Sequence, residues 1–190
     1  MPRRSFLDLT LKTVAILALM LSAGGLVSEV SAAPSEYEVK AAFLYNFAKF
    51  TDWPSAQNAG PGPFTICILG KDPFGTALDV LEGKPVDGRP VAIRRMMEPG
   101  DLQRCWIMFV GHPYADGMER LAGDLQGQPI LTVGDNPGFV RSGGMIGFIL
   151  DDGRIRFEID PDRISPAGLS ISSQLLNLAV IVRSKESSGW

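Results

Sequence analysis

The alternation of apolar and polar positions divides the chain into a leader, a capped helix, three apolar strand runs, a hairpin and a closing segment. Winding Tyr37 to Phe50 at about 100° per residue puts Tyr37, Val39, Ala41, Phe43, Leu44, Phe47, Ala48 and Phe50 on one broad arc. Glu38, Ala42, Tyr45, Asn46 and Lys49 fall on the other. Ser35 is suited to cap this helix, and Glu38, three residues on, is placed to complete a capping box. Trp53-Pro54 is expected to end it, because the residue before a proline avoids helical dihedrals. Lys40 lies inside the apolar arc, so its stem must cross a neighbour while its ammonium reaches solvent or a carboxylate.

Downstream, Phe64 to Gly70, Cys105 to Gly111 and Pro129 to Gly134 are nearly unbroken apolar runs bounded by turn residues, the pattern of strands buried on both faces. Short helices are expected near Thr76 to Leu81, with Asp72 placed to cap, and from Tyr114 to Gln126. Val91 to Met96 alternates and reads as a strand nearer the sheet edge. Met145 to Leu150 and Arg154 to Ile159, joined by Asp151-Asp-Gly153, read as a hairpin. Ser165-Pro166 marks a closing helix with a stripe of Ile171, Leu175, Leu178 and Val182. This order predicts an α/β class: a single three-layer domain with a mainly parallel, flavodoxin-like sheet, the Cys67 strand beside the Cys105 strand, plus a C-terminal hairpin and helix.

The amino terminus changes the picture. Met1-Pro-Arg-Arg supplies positive charge, Val14 to Leu21 a short apolar core, and Val30-Ser-Ala-Ala33 small residues for cleavage, together an export signal. Arg3-Arg4 also fits a twin-arginine signal, so the general secretory and twin-arginine routes both stand. The expected organisation is a leader over 1–33, an α/β domain over 34–183 and a loose tail over 184–190, with the mature chain periplasmic and without a membrane span. About 155 residues remain after cleavage, enough for one core. Net charge of −3 and the lack of a basic run beyond the leader argue against a nucleic-acid surface.

Cys67 and Cys105 are the two cysteines, an even count in an exported chain, so a disulfide is expected; the alternative is two buried thiols that never meet. A catalytic triad has only His112 as base, and no nucleophile elbow accompanies it. One histidine and two strand cysteines do not make a zinc set, and Asp151, Asp152, Asp160 and Asp162 lack calcium-loop spacing. No cofactor fingerprint follows any strand. The candidate small-ligand sites are the crevice near Gly134 and Asp135, at a strand's carboxyl end where parallel sheets bind ligands, or else the aromatic face around Lys40. Arg156, Glu158 and Ile164 are the candidate partner patch, on the water-facing side of the last strand and just beyond it.

Two stretches resemble a known family. Val39-Lys-Ala-Ala-Phe-Leu-Tyr-Asn-Phe-Ala-Lys-Phe-Thr-Asp-Trp-Pro54 is similar to the opening of the YfiR-like proteins, and Ala167-Gly-Leu-Ser-Ile-Ser-Ser-Gln-Leu-Leu-Asn-Leu-Ala179 to their closing motif. The likeness runs from Glu36 to Val182. It implies a non-catalytic periplasmic repressor that binds the sensor domain of an inner-membrane diguanylate cyclase, with an OmpA-like outer-membrane lipoprotein as sequestering partner. It further implies control of cyclic di-GMP and biofilm, and a homodimer. Members can carry a second cysteine pair near the strand of Met145, and this chain has none there. A small-ligand binding module is the competing reading.

Overall fold

Helix α1 (Glu36–Lys49) forms where the amphipathic pattern placed it, and its first turn is closed as the sequence proposes. The Glu38 N–H donates to Ser35 Oγ at 3.3 Å and the Ser35 N–H donates to Glu38 Oε2 at 2.6 Å. The helix stops earlier than Trp53-Pro54 suggests. Phe50 caps it, and β1 (Thr51–Asp52) leaves in extended form to pair with a late segment. This computed structural model describes residues 33–54, 61–100 and 102–183. The expected leader and the tail 184–190 lie outside the described residues, Ala33 apart. No described helix is long and apolar enough to cross a membrane.

The strands that follow are β2 (Phe64–Leu69), β3 (Pro85–Val86), β4 (Arg89–Met96), β5 (Ile107–Val110), β6 (Leu131–Gly134), β7 (Ile146–Asp151), β8 (Arg154–Ile159), β9 (Ser170–Ile171) and β10 (Val180–Ile181). Eight form one sheet in the order β10-β8-β7-β6-β5-β2-β4-β3. Strands β4, β2, β5, β6 and β7 run parallel, whereas β8 turns back against β7 and β3 against β4. Strand β10 then lies parallel to β8, and β1 with β9 makes a separate two-stranded ribbon.

Side chains alternate across this sheet into two cores. Ile66, Ile68, Ile107, Phe109, Phe148 and Phe157 face α1, while Cys67, Leu69, Met108 and Val110 face the opposite way. There they meet Met118 and Leu121 of α2 (Met118–Asp124). Both faces are covered, the three-layer arrangement that continuous apolar strands require. The crossover helices differ from expectation in type and length: Gly75–Leu81 is a 3-10 rather than an α-helix, and α2 begins only after a further 3-10 turn at Tyr114–Gly117. Asp72 does not cap at the helix boundary. Its carboxylate accepts the Phe74 N–H at 2.7 Å and pairs with Arg95.

The hairpin of β7 and β8 is as expected, with Asp152 and Gly153 in left-handed conformation at φ 48° and 71°, the geometry of a tight primed turn. The closing helix is not. The segment breaks into α3 (Pro161–Ile164), a 3-10 turn at Ser165–Ala167, β9, α4 (Ser173–Leu176) and β10. Asp160, rather than Ser165, caps α3 by accepting the Asp162 N–H. Gly168, left-handed at φ 75°, ends the turn, and Ser170–Ile171 is then drawn into pairing with Asp52 and Thr51. Competition from strand pairing at both ends overrides the helical stripe.

Candidate functional site

A cluster of ionisable groups forms at the carboxyl end of β6, around buried Lys40 of α1. Lys40, only 4% exposed on α1, has its Nζ 2.7 Å from Asp135 Oδ2 and 2.5 Å from Glu36 Oε1. Its ammonium lies 4.5 Å from the centre of the Tyr37 ring, and the Tyr37 hydroxyl donates to Asp135 Oδ2 at 3.2 Å. The aromatic arc buries the lysine stem, and the carboxylates supply the partner that a desolvated cation needs. Burial by itself would lower the Lys40 pKa, but the hydrogen bonds to Asp135 and Glu36 outweigh it and hold the ammonium above its ordinary 10.5. Tyr37 is raised above 10.0, first by burial and then by the Asp135 charge.

The three ligand candidates are therefore neighbours in space, but they are engaged with the protein itself. Asp135 is taken up by Lys40 and Tyr37. Gly134 is buried against Phe139: a methyl group at Gly134 would sit 2.5 Å from Phe139 Cδ2, and Gly144 presses the other side of the same ring even more closely. Both glycines make room for an aromatic side chain, not for a phosphate. What remains open is a groove of about 690 Å³ beside the start of α1, lined by Tyr37, Phe74, Ala77 and Val80 among others.

Farther along the same sheet edge, the ends of β2 and β5 are joined by backbone. The Lys71 N–H donates to His112 O at 2.8 Å and the Gly111 N–H to Leu69 O at 2.8 Å. A methyl group on Gly70 or Gly111 would meet the opposing carbonyl at 2.5 Å, so the crevice where open parallel sheets hold ligands is bridged here. His112 is exposed, its Nε2 3.2 Å from Asn136 Nδ2 and its Nδ1 3.9 Å from Asp116 Oδ2. Among the described residues no three His, Cys, Asp or Glu side chains are placed to hold a metal ion.

Cys67 and Cys105 are joined by a disulfide, with Cα atoms 5.7 Å apart, and both are fully buried on the α2 face. The partner-patch candidates are split. Arg156 is exposed on β8 and ion-paired to Asp151 at 2.5 Å, and Glu158 lies half-buried over Gly147 on the same face. Ile164, expected beside them, is 2% exposed and belongs to the α1-side core, because α3 turns it inward. The aspartates weighed for calcium serve turns and pairs instead: Asp160 as the α3 cap with Arg163 at 3.3 Å, Asp162 with Arg183 at 3.7 Å. Sequence reading missed Glu36 and Tyr37 as partners of Lys40, although Glu36 to Lys40 is the four-residue spacing of a helical ion pair.

Fold and site together define an α/β domain in which the Lys40–Asp135 pair and the Cys67–Cys105 bridge tie its own elements together. A family model described as YfiR/HmsC-like matches residues 37–180, and the chain belongs to that family. The resemblance carried by Val39–Pro54 and Ala167–Ala179 is thereby met over most of the chain. No curated protein matches the sequence.

Proposed function

We propose that the chain is a non-catalytic periplasmic regulator that docks the periplasmic sensor domain of an inner-membrane diguanylate cyclase and holds its activity down, lowering cyclic di-GMP. Membership of the YfiR/HmsC-like family over residues 37–180 carries this reading. It is supported by the engagement of Lys40, Asp135 and the two cysteines within the fold. Residues 1–33 serve as the cleaved export signal, 34–183 as the regulatory domain and 184–190 as a tail. An OmpA-like outer-membrane lipoprotein releases the cyclase by sequestering the regulator, the regulator is a homodimer, and biofilm formation is the cellular output. The lateral order β4-β2-β5-β6-β7 is read as flavodoxin-like, with the crevice bridged rather than open to a cofactor.

On this reading Arg156 and Glu158 contribute to the docking surface at the β7–β8 hairpin. Affinity capture from periplasmic extract with the exported chain is expected to recover a membrane-anchored cyclase through its periplasmic domain, and Arg156→Glu with Glu158→Arg to reduce that recovery. Capture that yields neither a cyclase nor an outer-membrane lipoprotein contradicts it. The alternative, a small-ligand module, is left with the groove beside Tyr37 and Phe74. A ligand held there at a hundred times its Kd would raise unfolding stability by about 2.7 kcal/mol, which a thermal-shift screen detects.

A further inference from the structure

The two edges of the large sheet are built differently. Strand β3 opens on Pro85, and β4 carries Pro90 with Arg94 and Arg95, the prolines and charges that keep an outer strand from pairing with another chain. The β10 edge has no such guard. Leu178 to Val182 reads Leu-Ala-Val-Ile-Val, without a charge or a proline. Of the large apolar side chains that stand well exposed among the described residues, Val80, Met97 and Leu150 lie one to a segment, whereas Leu178 at 64% and Ile181 at 43% share this one. The backbone is unfinished there as well. The Val182 N–H donates to Ile159 O at 2.9 Å, so Val182 faces β8, and by the pairing of β10 with β8 Val180 turns its polar groups the same way. The N–H and C=O of Ile181 therefore point away from the sheet, together with the Ala179 C=O, while the Ala179 N–H is taken by Leu176 O at 3.2 Å. Among the described residues no backbone group bonds to the Ile181 N–H, the Ile181 C=O or the Ala179 C=O.

We propose that this edge is where two copies of the chain meet: β10 of one pairs antiparallel with β10 of the other about a two-fold axis at Ile181, joining the two sheets into one. The inference rests on the homodimer of the proposed function and gives it a surface, and it does not depend on the partner being a cyclase. At the axis each Ile181 N–H donates to the Ile181 C=O of the other copy. Each Arg183 N–H, next in the alternation, reaches the other copy's Ala179 C=O. A two-fold contact of this kind closes on itself and leaves the guarded β3 and β4 edges at the two ends of the joined sheet.

A second copy is the occupant because the edge complements itself. With Ile181 on the axis, Ile181 faces Ile181 and Val180 faces Val182, β-branched pairs that stabilise a ladder, while Arg183 faces Ala179 and no charge meets its like. The other registers fail. An axis at Arg183 sets Arg183 against Arg183, and one at Ala179 meets an N–H already donated to Leu176 O. An axis at Val180 or Val182 falls on groups bonded to β8. A strand from an unrelated protein would be selected by a charge on the edge, and Leu178 to Val182 supplies none.

The test uses the full exported chain, labelled with ¹⁵N, over a dilution series in which sedimentation and amide exchange are read together. A monomer–dimer equilibrium is expected, with the Ile181 and Arg183 amides exchanging more slowly as dimer forms, while Val182, already bonded to β8, changes little. Ile181→Lys sets like charges opposite each other on the axis, and Ile181→Pro removes the outward N–H without touching the bonds to β8. Each is expected to weaken the dimer about tenfold, and Ile181→Val to leave it as it is. A dimer that persists undiminished in both variants overturns the proposal and leaves the homodimer with another interface. Ile181 and Arg183 amides that are already protected in the dilute monomer overturn it too, since residues 184–190 or another part of the same copy then cover the edge. A chain that stays monomeric throughout overturns the surface and the homodimer together, and leaves the cyclase reading to the capture experiment.

Discussion

The two faces of the sheet are held in different ways. On the α1 side, Phe43 and Phe47 of the helix meet Phe148 and Phe157 of the hairpin with ring centres 5.1 to 6.0 Å apart. Trp53, Phe64 and Trp106 form a second group at 4.8 to 5.5 Å. The α2 side has a seven-residue helix, methionine and aliphatic side chains, one phenylalanine wedged between glycines, and the Cys67–Cys105 bridge. Where a long helix supplies aromatic area, packing suffices. Where the cover is short, a covalent link between adjacent strands restricts the unfolded chain instead.

This contrast predicts a graded response to substitution. Phe47→Ala, which empties the centre of the aromatic group, is expected to lower unfolding free energy by about 4 kcal/mol in urea titration. Replacing both cysteines by alanine is expected to cost about 3 to 4 kcal/mol, the chain-entropy contribution of so long a loop. It should also raise amide exchange in Met118–Asp124 more than in α1. Equal acceleration on both faces would break the comparison.

Lys40→Met, which leaves Asp135 short of a partner on the α1 side, is expected to cost about 2 kcal/mol at neutral pH. Because the folded pKa of Lys40 lies above its ordinary 10.5, its contribution is complete below that value and fades as pH rises through the raised one. The stability gap between wild type and Lys40→Met is therefore flat from neutral pH to about 10 and closes in alkali. Tyr37 is raised too and acts in the same direction, so Tyr37→Phe serves as the background that isolates the lysine.

On the other face, Gly144→Ala should displace the Phe139 ring and cost about 1 to 2 kcal/mol, below the bridge itself. Smallest is Glu38→Gln. The Glu38 pKa is lowered by its hydrogen bonds with Ser35, so the cap's contribution is present above the ordinary 4.5 and lost as pH falls through the lowered value. A melting-temperature difference between the two proteins that persists below that range would contradict the cap.

Much of the fold was legible because its signals are local. The capping box of Ser35 and Glu38, the apolar strands and the Asp152-Gly153 turn each follow from a few adjacent residues. The burial of Lys40 among carboxylates follows from its place on the helical arc, but its choice of Asp135 does not. That contact joins residues far apart in the chain and is fixed only when β6 is seated beside β5. The closing segment misled because Ile171, Leu175, Leu178 and Val182 fit a helical stripe, while strand pairing to β1 and β8 decides the outcome. Ile164 misled for a related reason: the turn capped by Asp160 reverses the side that faces the core.

The central claim is regulation by contact from outside the cytoplasm, and cellular cyclic di-GMP measures it directly. Deleting the gene is expected to raise the nucleotide, the full chain to restore it, and a chain lacking residues 1–33 to leave it high. Cyclic di-GMP that is indifferent to the deletion, or restored equally by the chain without its leader, contradicts the account.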